Sequence, residues 1–196
     1  MPKVSVEYKE AKRREIAAAA LRTFQRKGFH AASMADIIAE SGASAGAIYG
    51  SFRSKTELVH AVATTMVNDR LLAGEASIMA DPLPLPGEVV GLMMRGMTEE
   101  LGSSDVLVQL WGESVTDPQL LDITRDIMDR IDDLYQRYLT RWHEARGTSH
   151  AESTAAAARL SPILVSVSQG YILQSAIRQN FDGEAYLSAA AEFLPR

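Results

Sequence analysis

The stretch from Ser33 to Lys55 is punctuated so densely that only very short helices fit inside it. Ser33, with Asp36 three residues on, makes an approximate capping box that opens a helix. Ile37 and Ile38 supply its apolar side, and Gly42 closes it. Ser44 can cap a second short helix, Ala45 to Phe52, whose Ile48 and Phe52 share a face at i, i+4 spacing. Ser54 and Glu57 repeat the capping-box spacing and start a further helix with Leu58 and Val62 inside. The segment therefore reads as two short helices joined by a tight turn, spanning about residues 33–52. The outer face of the second bears small residues: Ser44, Ala45, Gly46, Ala47, Gly50 and Ser51. Small side chains would let that helix lie close to base edges in a major groove ~12 Å wide.

Lys55 sits at the first position of the following helix, where the macrodipole disfavours a cation by roughly a few tenths of a kcal/mol. A lysine there makes sense if an anion is expected, because helix N-terminal amides and an ammonium can share one phosphate. Ser33 could act in the same way at the start of its own helix. Tyr49 offers a hydroxyl to a phosphate oxygen while its ring braces the two short helices.

The charge distribution points the same way. The net charge is −5, yet residues 1–60 hold ten basic against six acidic residues, net +4, leaving net −9 for the remainder. All the lysines lie in that first segment. A basic end joined to an acidic body suits a chain that meets phosphates at one end only, although chance clustering of solvated charge would look similar.

Helical periodicity dominates the rest of the chain, with no clean strand alternation. A first helix is expected from about Tyr8 to Lys27, with Ile16, Ala20 and Phe24 as its buried stripe and Gly28 ending it. Asp81 to Gly87, rich in proline, reads as a linker. Beyond it come an amphipathic helix from Val89, a shorter one over Val106–Val115, and a long one from Pro118 to near Gly147. The last long helix should run from about Ala151 to Gln179, with Pro162 kinking or breaking it. Asp182-Gly183 turns the chain into a final short helix ending near Leu194.

The Phe24-x-x-x-Gly28-Phe29 motif, then S-M-A-D-I-I-A-E-S-G from Ser33, then G-A-I-Y-G-S-F-R-S-K-T-E-L from Gly46, resembles the TetR family of regulators over about residues 10–60. The resemblance implies an all-α fold of about nine helices. In it, a three-helix helix-turn-helix head over residues 1–55 precedes a larger ligand-binding and dimerisation domain over 56–196. It also implies a homodimer bound to a pseudo-palindromic operator in double-stranded DNA, with repression released by a small apolar or amphipathic effector. Phosphate contacts then fall on Ser33, Tyr49 and Lys55, and contacts of the recognition helix on Ser44, Ala45, Ala47 and Ser51. The chain departs from the family after Tyr49, where Gly50-Ser51 replaces the bulkier pair that is common there. A glycine inside a helix costs ~1 kcal/mol relative to alanine.

Met94, Met97, Trp111, Met128, Tyr135 and Tyr138 are the candidates for an effector cavity, since they combine adaptable apolar bodies with occasional polar handles. The same residues would serve equally well as plain bundle core. Leu160, Leu164, Val167, Tyr171, Tyr186 and Leu187, on the last two helices, are the candidates for a four-helix dimer interface, intramolecular packing being the alternative.

Other classes find less support. Cysteine is absent, so thiolate chemistry and disulfides are excluded. His30, His60, His143 and His150 are scattered, in no metal or triad spacing, and no cofactor, metal or catalytic residue is expected. An enzyme, a small-molecule binder without a DNA role, an activator and an unspecific DNA-coating protein are the alternatives. No apolar run approaches the ~20 residues of a membrane span. The polar stretch Met1–Ala11 is unlike a secretory signal, so no membrane partner and a cytoplasmic location are expected.

Overall fold

The computed structural model describes residues 6–101 and 104–196, so the first five positions of the expected head lie outside the described residues. Within this range the helices are α1 (Val6–Lys27), α2 (Met34–Ser41), α3 (Ala45–Ser51), α4 (Lys55–Met79), α5 (Pro86–Leu101), α6 (Asp105–Ser114), α7 (Pro118–Glu144), α8 (His150–Ile177) and α9 (Gly183–Phe193). No strand occurs among the described residues. The punctuation acts through local chemistry. Gly28, Gly42 and Gly147 take positive φ of 79°, 64° and 86°, which lets each turn the chain after a helix without a Cβ clash. Ser33, Ser44, Ser149 and Asp182 each accept a hydrogen bond from a backbone amide three residues on.

The chain divides into two compact units. The first comprises the described parts of residues 1–65 with 105–123, and the second those of 66–104 with 124–196. In the first unit α1 is the spine. Ile16, Ala19, Ala20, Thr23 and Phe24 are buried along it, and α2, α3 and α6 all pack against it. Thr23 is satisfied within the helix by donating to the Ala19 carbonyl at 2.9 Å. Ile37, Ile48, Phe52 and Leu58 are fully enclosed, each contributing roughly 1.5–3 kcal/mol of apolar burial. On the surface, Glu40 of α2 accepts from Arg22 at 2.9 Å and Arg26 at 2.7 Å, both from α1.

In the second unit α5 packs on α8 and α9, and α8 on α9. Leu134, Tyr135, Tyr138 and Leu139 of α7 are fully buried. The Tyr135 hydroxyl lies 2.9 Å from Ser168 Oγ, and burial pushes its pKa up to about 12. Tyr138 donates to the Pro84 carbonyl, and burial raises its pKa as well. Tyr171, Phe181 and Tyr186 form an aromatic triangle with centroids 5.1–5.7 Å apart, fastening α9 to α8.

Several expectations change. Pro162 lies inside an unbroken α8. Both Pro162 and Ala158, whose carbonyl loses its amide partner, are exposed, so the unpaired carbonyl lies on the solvent side. The linker is shorter than its prolines suggest, because Pro86 serves as the first residue of α5, a position that needs no amide donor. α8 is long and apolar enough, by length and composition, to cross a membrane, contrary to the absence of such a run expected from sequence. Its apolarity comes largely from alanines beside Ile, Leu and Val, and it buries Ser153, Ser161 and Ser168 on the side packed within its unit.

A Cβ on Gly170 would lie 2.5 Å from the Tyr186 hydroxyl, which is held by donating to the Val167 carbonyl at 2.9 Å. Gly170→Ala should therefore cost about 1–3 kcal/mol in denaturant unfolding. Adding Tyr186→Phe should recover part of that loss, since the next ring atom stands 3.7 Å away. If the alanine variant unfolds like the parent, the contact is not tight in solution.

Candidate DNA-binding surface

α3 is held by few side chains and shows the rest of itself to solvent. Only Ile48 is buried within it, with Phe52 buried just after it. Ser44, Ala45, Gly46, Ala47, Tyr49 and Gly50 are exposed, and Ser51 is half-exposed. Ser44 Oγ accepts from the Ala47 amide at 3.2 Å, and Ser51 Oγ donates to the Ala47 carbonyl at 3.0 Å. The expected brace by the Tyr49 ring is not what holds α3. That ring is 52% exposed, and the fully buried Ile48 and Phe52 do the packing instead.

Gly46 and Gly50 bear on what this face is for. Neither has a positive φ, and a Cβ built on either meets nothing within 4 Å. Alanine would thus fit both positions and favour the helix by ~1 kcal/mol each. The protein's own packing gives no reason for two glycines in a helix this short, whereas a second surface lying close against it does.

The C-terminal end of α3 is fixed by a residue that sequence reasoning did not single out. Arg13 of α1 donates to the Ser51 carbonyl, lies 4.1 Å over the Phe52 ring and pairs with Glu57 at 3.7 Å. Its position one helical turn before Ile16, at the edge of the buried stripe of α1, was the available signal.

Ser33 lies exposed at the start of α2, its hydroxyl already engaged in a full capping box. Ser33 Oγ donates to Asp36 Oδ2 at 2.7 Å and accepts from the Asp36 amide at 3.2 Å, and the Ser33 amide donates to the same carboxylate at 3.0 Å. Lys27 pairs with Asp36 at 2.5 Å, and these donors hold the Asp36 carboxyl well below its ordinary range.

Lys55 is the first residue of α4 and half-buried. Its ammonium donates to the His30 carbonyl at 3.3 Å and stands 4.4 Å over the Phe29 ring. Burial lowers its pKa, while the charge of Glu113 acts the other way. Glu57 makes half of a capping box at the start of α4, its amide donating to Ser54 Oγ at 3.1 Å, while its carboxylate accepts from the Arg53 amide, one residue before the cap, at 2.8 Å.

The effector and interface candidates sit as follows. Trp111 is half-exposed on α6, in the first unit. Met94, Met97, Tyr135 and Tyr138 are buried in the second, and Met128 is half-buried with Gln169 donating to its sulfur at 3.3 Å. Among the described residues, a cleft of about 260 Å³ lies between the start of α5 and the end of α9 and another of about 520 Å³ lies along α5, and none of these residues lines either. Leu164, Tyr171 and Leu187 are buried by their own unit, and Leu160, Val167 and Tyr186 are half-exposed. The large apolar side chains that α8 and α9 leave open are Ile163, Leu173, Ile177 and Phe193.

A carboxylate held below its ordinary pKa stabilises the fold above that ordinary value, and the contribution is lost as pH falls through the lowered one. Asp36→Asn should therefore flatten the acid limb of first-unit stability below about pH 4. Helix content followed through an acid titration is the readout, and an unchanged limb would show that the capping box carries no such linkage.

Residues 16–62 match the family described as bacterial regulatory proteins, tetR family. An uncharacterized HTH-type transcriptional regulator, YfiR of Bacillus subtilis, is 39% identical over 70 residues, covering 36% of this chain and 34% of that protein. The chain thus matches about a third of that relative's length. Over nearly the whole length the fold is similar to three solved structures. One, from Syntrophomonas wolfei, is assigned to TetR-family transcriptional regulators and has a TM-score of 0.73 at 16% identity, covering 94% of this chain and 93% of that one. A transcriptional regulator from Saccharomonospora viridis in complex with choline gives 0.73 at 20%, covering 95% and 100%. NemR of E. coli in its reduced form gives 0.71 at 14%, covering 94% and 98%. Residues 16–62 thus match the tetR family model, and along nearly its full length the chain shares the fold of these solved structures.

Proposed function

We propose that the protein is a sequence-specific DNA-binding transcriptional regulator, working in the cytoplasm as a homodimer on a pseudo-palindromic operator. The observation that carries this reading is the outward face of α3. Two glycines with open space beside them and a row of small residues stand on a helix anchored from behind by Ile48, Phe52 and Arg13. Ala45 and Ala47 can meet thymine methyls, while Ser44 and Ser51 offer hydroxyls to base edges. Lys55 and Tyr49 supply sequence-independent phosphate contacts. The likeness of residues 16–62 to the tetR family supports the same assignment.

The regulation proposed is repression relieved by a small apolar or amphipathic effector bound in the second unit. The S. viridis regulator of similar fold is solved with choline, a small cationic molecule, which supports small-molecule control in general. α4 runs as one helix from the first unit into the second, giving an effector a covalent route to the head. Paired half-sites one DNA turn apart require recognition helices ~34–36 Å apart, so a few ångströms of change would weaken binding. The effector must favour the non-binding state, since equal affinity for both states shifts nothing.

Duplexes selected from a random pool should share one pseudo-palindrome, whereas featureless enrichment would overturn sequence-specific recognition. Tyr49→Ala and Lys55→Ala should each weaken binding across all sequences, with Lys55→Ala lowering the salt slope by about 1. Unchanged affinity in both would mean that another side of the head faces DNA.

The homodimer is proposed to form across α8 and α9. Ile163, Leu173, Ile177 and Phe193, at 51, 44, 69 and 89% exposure, would supply its apolar contacts. Ile177→Asp with Phe193→Asp should shift the sedimentation coefficient from dimer to monomer without loss of helix content. A dimer that persists in this variant would place the interface elsewhere.

A further inference from the structure

The turn that contacts Lys55 in the first unit is itself held by a helix remote in sequence. Gly28 ends α1 with positive φ, and Gln109 of α6 then meets the chain. Gln109 Oε1 accepts a hydrogen bond from the Phe29 amide at 2.7 Å, across eighty positions of sequence. The approach is so close that a Cβ on Gly28 would lie 3.0 Å from the same oxygen. One turn further along α6, Glu113 Oε1 lies 3.2 Å from His30 Nδ1.

Phe29 and His30 are also the two residues that hold Lys55. The ring of one lies beneath the ammonium and the carbonyl of the other accepts from it. The contacts therefore form a continuous series: Gln109 fixes the Phe29 amide, the fixed turn presents a ring and a carbonyl, and these aim Lys55. The His30 side chain is 89% exposed, so its pairing with Glu113 adds little on its own. The bond to the Phe29 amide is partly buried, and a buried amide left without an acceptor carries a desolvation penalty.

We propose that Gln109 is a positioning residue for DNA binding, fixing the Gly28–His30 turn so that Lys55 is directed at a phosphate. This rests on the regulator reading given above. Gln109 need not touch DNA. Its effect passes through Lys55, which distinguishes it from a residue that merely adds stability.

The test is a double-mutant cycle on the full-length protein with a duplex selected from a random pool. Gln109→Met keeps the length and packing of the side chain and removes the acceptor. It should weaken binding about 3- to 10-fold at moderate salt and lower the salt slope by about 1, as Lys55→Ala does. The double variant should bind no more weakly than Lys55→Ala alone. Thermal melting of each variant sets a common temperature well inside the folded range. If Gln109→Met binds like the parent, or if its loss adds in full to that of Lys55→Ala, the positioning role is overturned and the regulator reading stands. If the parent shows no preference for any duplex, both fall together.

Discussion

Two helices as short as α2 and α3 are not stable by themselves, because helix nucleation is unfavourable and few propagating bonds follow it. Their existence depends on burial against α1. Phe24, Ile37, Ile48 and Phe52 form the enclosed centre of that packing. Once this centre forms, α3 has a fixed back and a free front, and the base contacts proposed for the protein are made from that front. Polar contacts refine what burial establishes. The pairs of Arg22 and Arg26 with Glu40 are exposed and individually modest. Arg13 differs because it reaches a main-chain carbonyl and an aromatic ring at the end of α3 and so fixes a backbone position.

Much of this was legible in the sequence wherever the physics is local. Caps at Ser33, Ser44 and Asp182, and left-handed glycines at Gly28 and Gly42, operate within four residues, so they marked helix ends directly. The buried stripe of α1 and the outward row on α3 followed from the helical period. Long-range partners were not legible. Arg13 meets Ser51 across 38 positions and Gln109 meets Phe29 across 80, and neither leaves a periodic trace. Pro162 needed more than local chemistry. That chemistry argues for a kink or a break, and its place on the exposed side of α8 shows why the helix runs through it without a break. The glycines of α3 needed both kinds of information, since sequence revealed their presence and geometry revealed the empty space beside them.

Burial also separates two roles that a list of apolar residues runs together. Tyr135 and Tyr138 looked equally suited to a cavity wall and to a core. Both are fully enclosed, with hydroxyls committed to Ser168 and Pro84. Such pairings fix a side chain's orientation and make it costly to move, because a separated partner would be left buried and unsatisfied. Likewise Leu164, Tyr171 and Leu187 face inward, whereas Ile163, Ile177 and Phe193 on the same helices do not.

The first unit is not a contiguous length of chain. It draws on residues up to Thr65 and then on α6 and the start of α7, after an excursion through the second unit. The head therefore cannot be excised at a single point. A fragment ending at Thr65 would strip α1 of a packing partner and leave the Phe29 amide without its acceptor. Chimeras that exchange heads between relatives would face the same difficulty, since a grafted head keeps its native setting only if the matching α6 travels with it.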